Sequence, residues 1–352
     1  MLKYMPAKLI QISSYQEENF TPYMSKKFNP VSFDLNIIDR CNSYCRFCSI
    51  WKNKTPDLEL KYIKKFLIGI KDWVKGDIVV NLVGGEPTYR NDLTDVLFFS
   101  RDIGVPVVMT TNGYRLADYD YAKSLVSTGL DKIVISVEGF QKTNDYLRGK
   151  NSFKKIIQGI KNLRKLKKDI TIRIQSIICG KNINELPQFV NFMYKMGYGN
   201  NFNFQALTSD FTIPLEKRKK NWYINDKLWP KNHEELCKNI DKLILMKKLN
   251  HNMIIPEVSK LEFWKVYFEN PNRFENVIKC NIGDIHIQCD GNGGISLCPH
   301  MPPVGNLKNN TVEEIFFSNK ADERREYIYT CKEPCNFQIN CRYEKLRIKE
   351  NN

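Results

Sequence analysis

Short β-branched apolar runs alternate with amphipathic stretches from about Ser32 to Leu207. The apolar runs predict strands over residues 32–38, 78–83, 106–111, 132–137, 170–178 and 201–206. Between them lie helical patterns. In 58–74, Leu60, Ile63, Phe66, Leu67 and Ile70 recur at the spacing of one helix face, and 93–102, 122–127, 153–166 and 183–196 read similarly. Strands and helices in strict alternation mean βα units and a parallel sheet, which right-handed crossovers curl into an open or closed barrel.

The pattern breaks after Thr208 into a Lys-rich connector containing Pro and Trp, followed by helical stretches over 234–249 and 257–268. From Cys280 the texture changes again. Residues 284–288 and 294–297 look like the arms of a hairpin turning at Asp290-Gly291-Asn292-Gly293, with a helical stretch at 311–318. The divisions expected are an N-terminal segment 1–30, a barrel 31–210, a helical connector 211–275 and a cysteine-rich unit 276–352.

Composition narrows the class. With 352 residues, 42% hydrophobic and 26% charged, the chain can bury a sizeable core, and it reads as neither disordered nor a disulfide miniprotein. No apolar run reaches the length of a membrane span, and the first residues, with Lys3 and Lys8 among polar positions, lack the apolar core of a signal peptide. A cytoplasmic location is therefore expected, where the 11 cysteines stay reduced and serve as ligands or catalysts. The net charge of +15 raises the question of nucleic acid. The lysines are spread along the chain, however, and the densest stretches, 161–168 and 217–220, read as solvated faces, so neither a nucleic-acid nor a membrane partner is expected.

Directly after the first strand stands Cys41-Asn-Ser-Tyr-Cys45-Arg-Phe-Cys48, a C-x3-C-x2-C spacing. Three thiolates this close on one loop can hold three corners of a cubane [4Fe–4S] cluster, leaving one iron open to a chelating small molecule. A zinc knuckle is the competing reading, but zinc wants a fourth protein ligand, and no further Cys or His lies nearby in sequence.

This spacing, with Phe47 before the third cysteine, resembles the signature of the radical S-adenosylmethionine (SAM) superfamily. Gly84-Gly85-Glu86-Pro87 after the second strand resembles its GGEP motif, which binds the methionine amine of SAM. Thr110-Thr111-Asn112-Gly113 follows the third strand, and Ser136-Val137-Glu138-Gly139 ends the fourth, with Glu138 where the family has Asp. Arg148-Gly149 matches the step whose arginine meets the SAM carboxylate. The resemblance implies a partial (β/α)6 TIM-like barrel with Cys41, Cys45 and Cys48 on the cluster and Phe47, Gly84, Gly85, Glu86, Pro87, Thr111, Asn112, Ser136, Glu138 and Arg148 around SAM. It further implies reductive cleavage of SAM to a 5′-deoxyadenosyl radical that abstracts a substrate hydrogen, with the electron coming from a donor such as flavodoxin or ferredoxin. Taken residue by residue, Gly84-Gly85 could also be a plain βα turn, Ser136 a helix cap and Arg148 a surface arginine. The motifs all fall after strands, where a parallel barrel builds its active site.

The C-terminal cysteines, Cys280, Cys298 and Cys331-x3-Cys335-x5-Cys341, resemble the SPASM and twitch extensions of the same superfamily, small α+β units that carry auxiliary clusters. One auxiliary [4Fe–4S] cluster is expected, on Cys280, Cys298 and two of Cys331, Cys335 and Cys341; zinc in the same cysteines is the alternative. Cys237 and Cys289 read as buried small residues, Cys179 as a core thiol or hydrogen-atom donor at the end of the fifth strand, and His300 as a pocket residue. The activity expected is modification of a peptide or protein. The alternatives are dehydrogenation of a small molecule such as an alcohol or amino sugar, tRNA modification, and a non-enzymatic zinc-binding protein.

Overall fold

A computed structural model describes residues 30–340 except 31, 54, 75–77, 200, 211–212, 214–216, 275–279 and 334. Cys341 and the expected N-terminal segment, apart from residue 30, lie outside the described residues.

Six βα units run in order. They are β1 (Ser32–Ile38) and α1 (Leu60–Trp73), β2 (Val80–Gly84) and α2 (Leu93–Asp102), and β3 (Val107–Thr111) and α3 (Tyr119–Ser127). Then come β4 (Lys132–Ser136) with α4 (Gln141–Arg148) and α5 (Ser152–Leu166), β5 (Thr171–Ile178) with α6 (Leu186–Lys195), and β6 (Asn201–Ala206). The helices α7 (His233–Leu249) and α8 (Val258–Glu269) follow. The last part contains α9 (Ile282–Ile285), β7 (His286–Cys289), β8 (Gly294–Ser296), β9 (Gly305–Asn306), α10 (Val312–Phe316), α11 (Asn319–Tyr329) and α12 (Asn336–Asn340).

The strands form one sheet in the order β6-β5-β4-β3-β2-β1-β7-β8-β9. Strands β6 through β1 are mutually parallel, as in a partial TIM barrel. The C-terminal hairpin is continuous with that sheet: β7 lies parallel to β1, with Ser32 opposite His286 and Leu35 opposite Cys289, and β8 and β9 then add antiparallel.

Alternation along each strand sorts the two faces. On β5, Ile172, Ile174 and Ile178 are buried toward the helices, while Thr171, Arg173, Gln175 and Ile177 face the other way and stay half-buried. On β4, Ile135 meets α5, for Ile135 and Ile156 both flank Gly113. Each Ile, Leu or Val fully buried in this layer contributes about 1.5–3 kcal/mol. The concave face is polar: Asn81 donates to Asp34 at 2.9 Å and Asn203 to Gln175 at 2.7 Å.

The free edge of the sheet, β6, is covered. The Phe202 N–H donates to the Met253 carbonyl and Ile255 N–H to the Phe202 carbonyl, both at 2.8 Å. Farther along, Asn340 of α12 occupies the edge at Ala206. Helix α4 had no signature in the sequence pattern, because its buried face consists of Asn144, Leu147 and Arg148 rather than an apolar stripe.

Candidate functional site

The cysteine loop leaves β1 at Ile38, and its first residues are held by the glycines that end β2. Gly85 N–H donates to Ile38 O at 2.6 Å and Glu86 N–H to Arg40 O at 2.9 Å. A Cβ on Gly84 would fall 2.1 Å from Ile38 O, and one on Gly85 2.1 Å from Arg40 O. Gly84 also has φ of +122°, a conformation side chains disfavour. Both glycines are thus demanded by the close passage of two protein segments. Beneath the loop, the buried Arg90 donates from Nη1 to the Ile37 and Leu58 carbonyls, both at 2.6 Å.

Glu86 points inward and is fully buried. Its Oε1 accepts from Thr88 N–H at 3.0 Å, Thr88 Oγ1 at 2.6 Å and Thr111 Oγ1 at 2.5 Å, and its Oε2 from Asn112 N–H at 2.6 Å. Burial pushes this carboxyl up, and the Thr111, Thr88 and Asn112 donors pull it back down. The side chain therefore ties the β2 loop to the β3 loop. Asn112 extends the tie by donating to Asn42, inside the cysteine loop, at 2.7 Å.

Arg148, at the end of α4, meets Glu138 in a buried ion pair, with Nε 2.9 Å and Nη2 2.5 Å from Oε1. Glu138 Oε2 accepts from Ile177 N–H at 2.7 Å. Burial pushes the Glu138 carboxyl up against the pull of Arg148; burial also works against the Arg148 cation, but Glu138, Cys45 and Tyr114 together more than offset it and raise Arg148. The same guanidinium lies 5.3 Å from the centre of the Phe47 ring and places Nη1 3.8 Å from Cys45 Sγ. Ser43 completes the arrangement. Its Oγ donates to the Arg148 carbonyl at 3.0 Å and sits 3.1 Å from both Cys45 Sγ and the Tyr114 hydroxyl.

Fold and contacts thus join Cys45, Phe47, Glu86, Thr111, Asn112, Glu138 and Arg148 into one connected network, with Gly84 and Gly85 at its base. Pro87 is buried at the first position of the short turn after Glu86, and Ser136 ends β4, 93% buried. Sequence reasoning missed Ser43 and Tyr114. A signal was available, since Ser43 lies between two of the cysteines and Tyr114 directly follows the Asn112-Gly113 step.

Burial pushes the Cys41 thiol up to about 12 and Cys48 to about 11. Thiols so desolvated ionise readily only when a metal charge sits against them. Among the described residues no three His, Cys, Asp or Glu side chains converge closely enough for a single metal ion. A cubane makes no such demand, because each thiolate binds a different iron, so this donor set fits a cluster better than zinc.

The C-terminal cysteines draw together as well. Burial pushes the Cys298 thiol up to about 12, with Cys335, Cys280 and Cys331 all close enough to add to the rise. Arg218 lies beside Cys335 and Cys298 and has Nη2 3.0 Å from Nδ1 of His300. Cys179 and Cys289 are buried in the core, and Cys237 contacts His233 at 3.5 Å. No described helix is long and apolar enough to cross a membrane.

Residues 35–193 match the Radical SAM superfamily. Among curated proteins, the chain is 26% identical over 201 residues to a 7,8-dihydro-6-hydroxymethylpterin dimethyltransferase of Methanocaldococcus jannaschii, covering 54% of this chain and 40% of that protein. It is 29% identical over 160 residues to a probable GTP 3′,8-cyclase of Sulfolobus acidocaldarius, covering 45% and 50%. The chain therefore spans about half the length of these relatives or less. Similarity of fold reaches further. The structure of anSMEcpe with bound AdoMet and Cp18Cys peptide superposes with a TM-score of 0.65 at 18% identity, covering 89% of this chain and 88% of that one. Streptococcus suis SuiB bound to precursor peptide SuiA superposes with a TM-score of 0.62 at 16% identity, covering 84% and 66%. Residues 35–193 thus form a domain that matches the radical SAM superfamily, whose members use a [4Fe–4S] cluster and SAM.

Proposed function

We propose that the chain is a radical SAM enzyme that modifies a peptide or protein, with Cys41, Cys45 and Cys48 holding the SAM-binding cluster. When bound, cluster and SAM supply a carbon radical able to take hydrogen from an unactivated C–H bond. The chain's own residues hold that chemistry in place. Ser43 and the Arg148 guanidinium are positioned against the Cys45 sulfur, where hydrogen bonds and charge set the electronic character of a ligating thiolate. Glu138 fixes Arg148, Phe47 shields its face, and Glu86 locks the β2 and β3 loops around the site. Rigid support of this kind keeps reacting groups in register.

The observation that carries the peptide reading is the extent of the fold match. It covers 89% of this chain in one case and 84% in the other, and both solved structures compared hold peptides. Cys280, Cys298, Cys331 and Cys335 are the ligands proposed for one auxiliary [4Fe–4S] cluster, which leaves Cys341 unneeded. An acidic one-electron carrier such as flavodoxin or ferredoxin would supply the electron.

The test is anaerobic reconstitution followed by reductant-dependent 5′-deoxyadenosine formation, with peptides and small molecules as candidate substrates. Cleavage should vanish in Cys41→Ala, Cys45→Ala and Cys48→Ala. Deuterium passing from a labelled peptide into 5′-deoxyadenosine supports the proposal; transfer only from a pterin or nucleotide would overturn its substrate class.

A further inference from the structure

The concave face of the barrel carries two cations that no described residue neutralises. Arg173 is the third residue of β5, half-buried, and its Nε is sealed from solvent without a partner. Lys132 opens β4. Because Thr171 lies opposite Lys132 and Val134 opposite Arg173, the two cations are diagonal neighbours on one face, with Cα atoms about 7–8 Å apart. Among the described residues neither side chain makes a hydrogen bond or an ion pair. Burial lowers both, and Arg173 lowers Lys132 further, as expected of like charges held together. Beside them, Gln175 uses its Oε1 to accept from Asn203, while its Nε2 is buried with no acceptor.

Two candidate carboxylates are committed to other partners. Asp131 precedes Lys132 but is largely exposed and pairs with Lys167. Asp34 stands on β1, four strands away in the sheet, and is bound by Asn81. The face is also open, since Thr110, in register with Val134, is exposed. Buried donors are almost always paired in a folded chain, and half-buried like charges cost stability unless something binds between them.

We propose that Lys132, Arg173 and the Gln175 amide form a subsite for an oxyanion, a carboxylate or a phosphate, on the substrate of this enzyme. All three present donors, and only a negatively charged acceptor both fills them and relieves the repulsion. Arg173 lies four residues before Ile177, whose N–H holds the Glu138–Arg148 pair beside Cys45. That separation is about 13 Å along the strand, so the substrate is elongated, with its acidic group deep in the barrel and its reacting carbon toward the cysteine loop. The inference rests on the radical SAM reading only for the identity of the ligand as substrate.

Isothermal titration of the folded protein with inorganic phosphate, with the peptide Glu-Glu-Glu and with neutral Gln-Gln-Gln tests it. Binding of phosphate or Glu-Glu-Glu, weakened at least tenfold in Arg173→Gln and by added salt, is expected, and the probe that binds says which oxyanion the site prefers. Without ligand, Arg173→Gln should melt no lower than the wild type, because it removes a repulsion, and phosphate should raise its melting temperature less. Lys132→Gln, at a strand end, repeats the measurement should Arg173→Gln fold poorly. No binding of either anion by the wild type, equal binding by the variants, or equal binding of Gln-Gln-Gln would overturn the subsite. SAM cleavage by the wild type is measured separately. If cleavage is absent while anions bind, the enzymatic reading fails and the subsite stands.

Discussion

The side chain of Asn340 pairs with the main chain of Ala206 as a neighbouring strand would. Its Oδ1 accepts from Ala206 N–H at 2.8 Å and its Nδ2 donates to the Ala206 carbonyl at 3.0 Å. The backbone of α12 is pinned from the other side, where Lys260 donates to the Asn340 carbonyl at 2.8 Å and Trp264 to the Ile339 carbonyl at 3.2 Å. The helix that starts beside Cys335 is thereby fixed to the last barrel strand.

Asn340→Ala should loosen that attachment, losing two hydrogen bonds at about 0.5–1.5 kcal/mol each. Asn340→Asp keeps the size but not the donor, and should fare no better. Hydrogen exchange at Ala206 and in α12 reads this directly; unchanged protection in both variants would contradict the contact.

Arg148→Ala should be among the most damaging single changes. It leaves Glu138 charged and buried without its cation, a loss of about 3–5 kcal/mol. Glu138→Gln removes the opposite charge, and a double-mutant cycle on chemical denaturation should show strong coupling between the two positions. Additive effects would mean that the pair is not formed in solution.

Glu86→Gln should lower stability by about 1–3 kcal/mol, because an amide nitrogen cannot accept the Asn112 or Thr111 bonds that the carboxylate accepts. The sign of the pH dependence follows. Burial raises the folded-state pKa of Glu86, so relative to an ordinary carboxylate it adds stability below its unfolded pKa and loses that contribution as pH rises through its folded pKa. Comparing wild type with Glu86→Gln across that range isolates the contribution.

Gly85→Ala should spare the barrel and disrupt the cysteine loop, since its new methyl meets the Arg40 carbonyl at 2.1 Å, one residue before Cys41. The expected result is near-normal circular dichroism with reduced iron uptake on anaerobic reconstitution. Full iron loading would show that the loop can shift without harm.

Alkylation at pH 8 should leave Cys179 unmodified in the folded protein, because burial pushes its thiol up to about 12 and the thiolate is the reacting form. Half-buried Cys237 should react before Cys179. Rapid labelling of Cys179 would mean that the end of β5 opens readily.

Much of the fold was legible in the chain. The boundaries of β1, β6 and α2 coincide with the expected ones, because period-two and period-3.6 patterns report directly on which face is buried. The cysteine spacing and the motifs after successive strands likewise pointed to loops that the structure brings together, since loops after parallel strands converge at one end of a barrel. Other features depended on contacts between distant parts of the chain. Helix α4 buries Asn144 and Arg148, so its pattern is polar, and the partner of Arg148, Glu138, lies in the loop between β4 and α4. The reason for Gly84 and Gly85 became visible only with Ile38 and Arg40 packed against them. The seam between β1 and β7 joins residues about 250 apart, and a hairpin pattern cannot say which edge it will extend. The juxtaposition of Lys132 and Arg173 has the same origin. The sequence determined that each sits on a strand, and strand register alone decided that two like charges would share one face of the barrel.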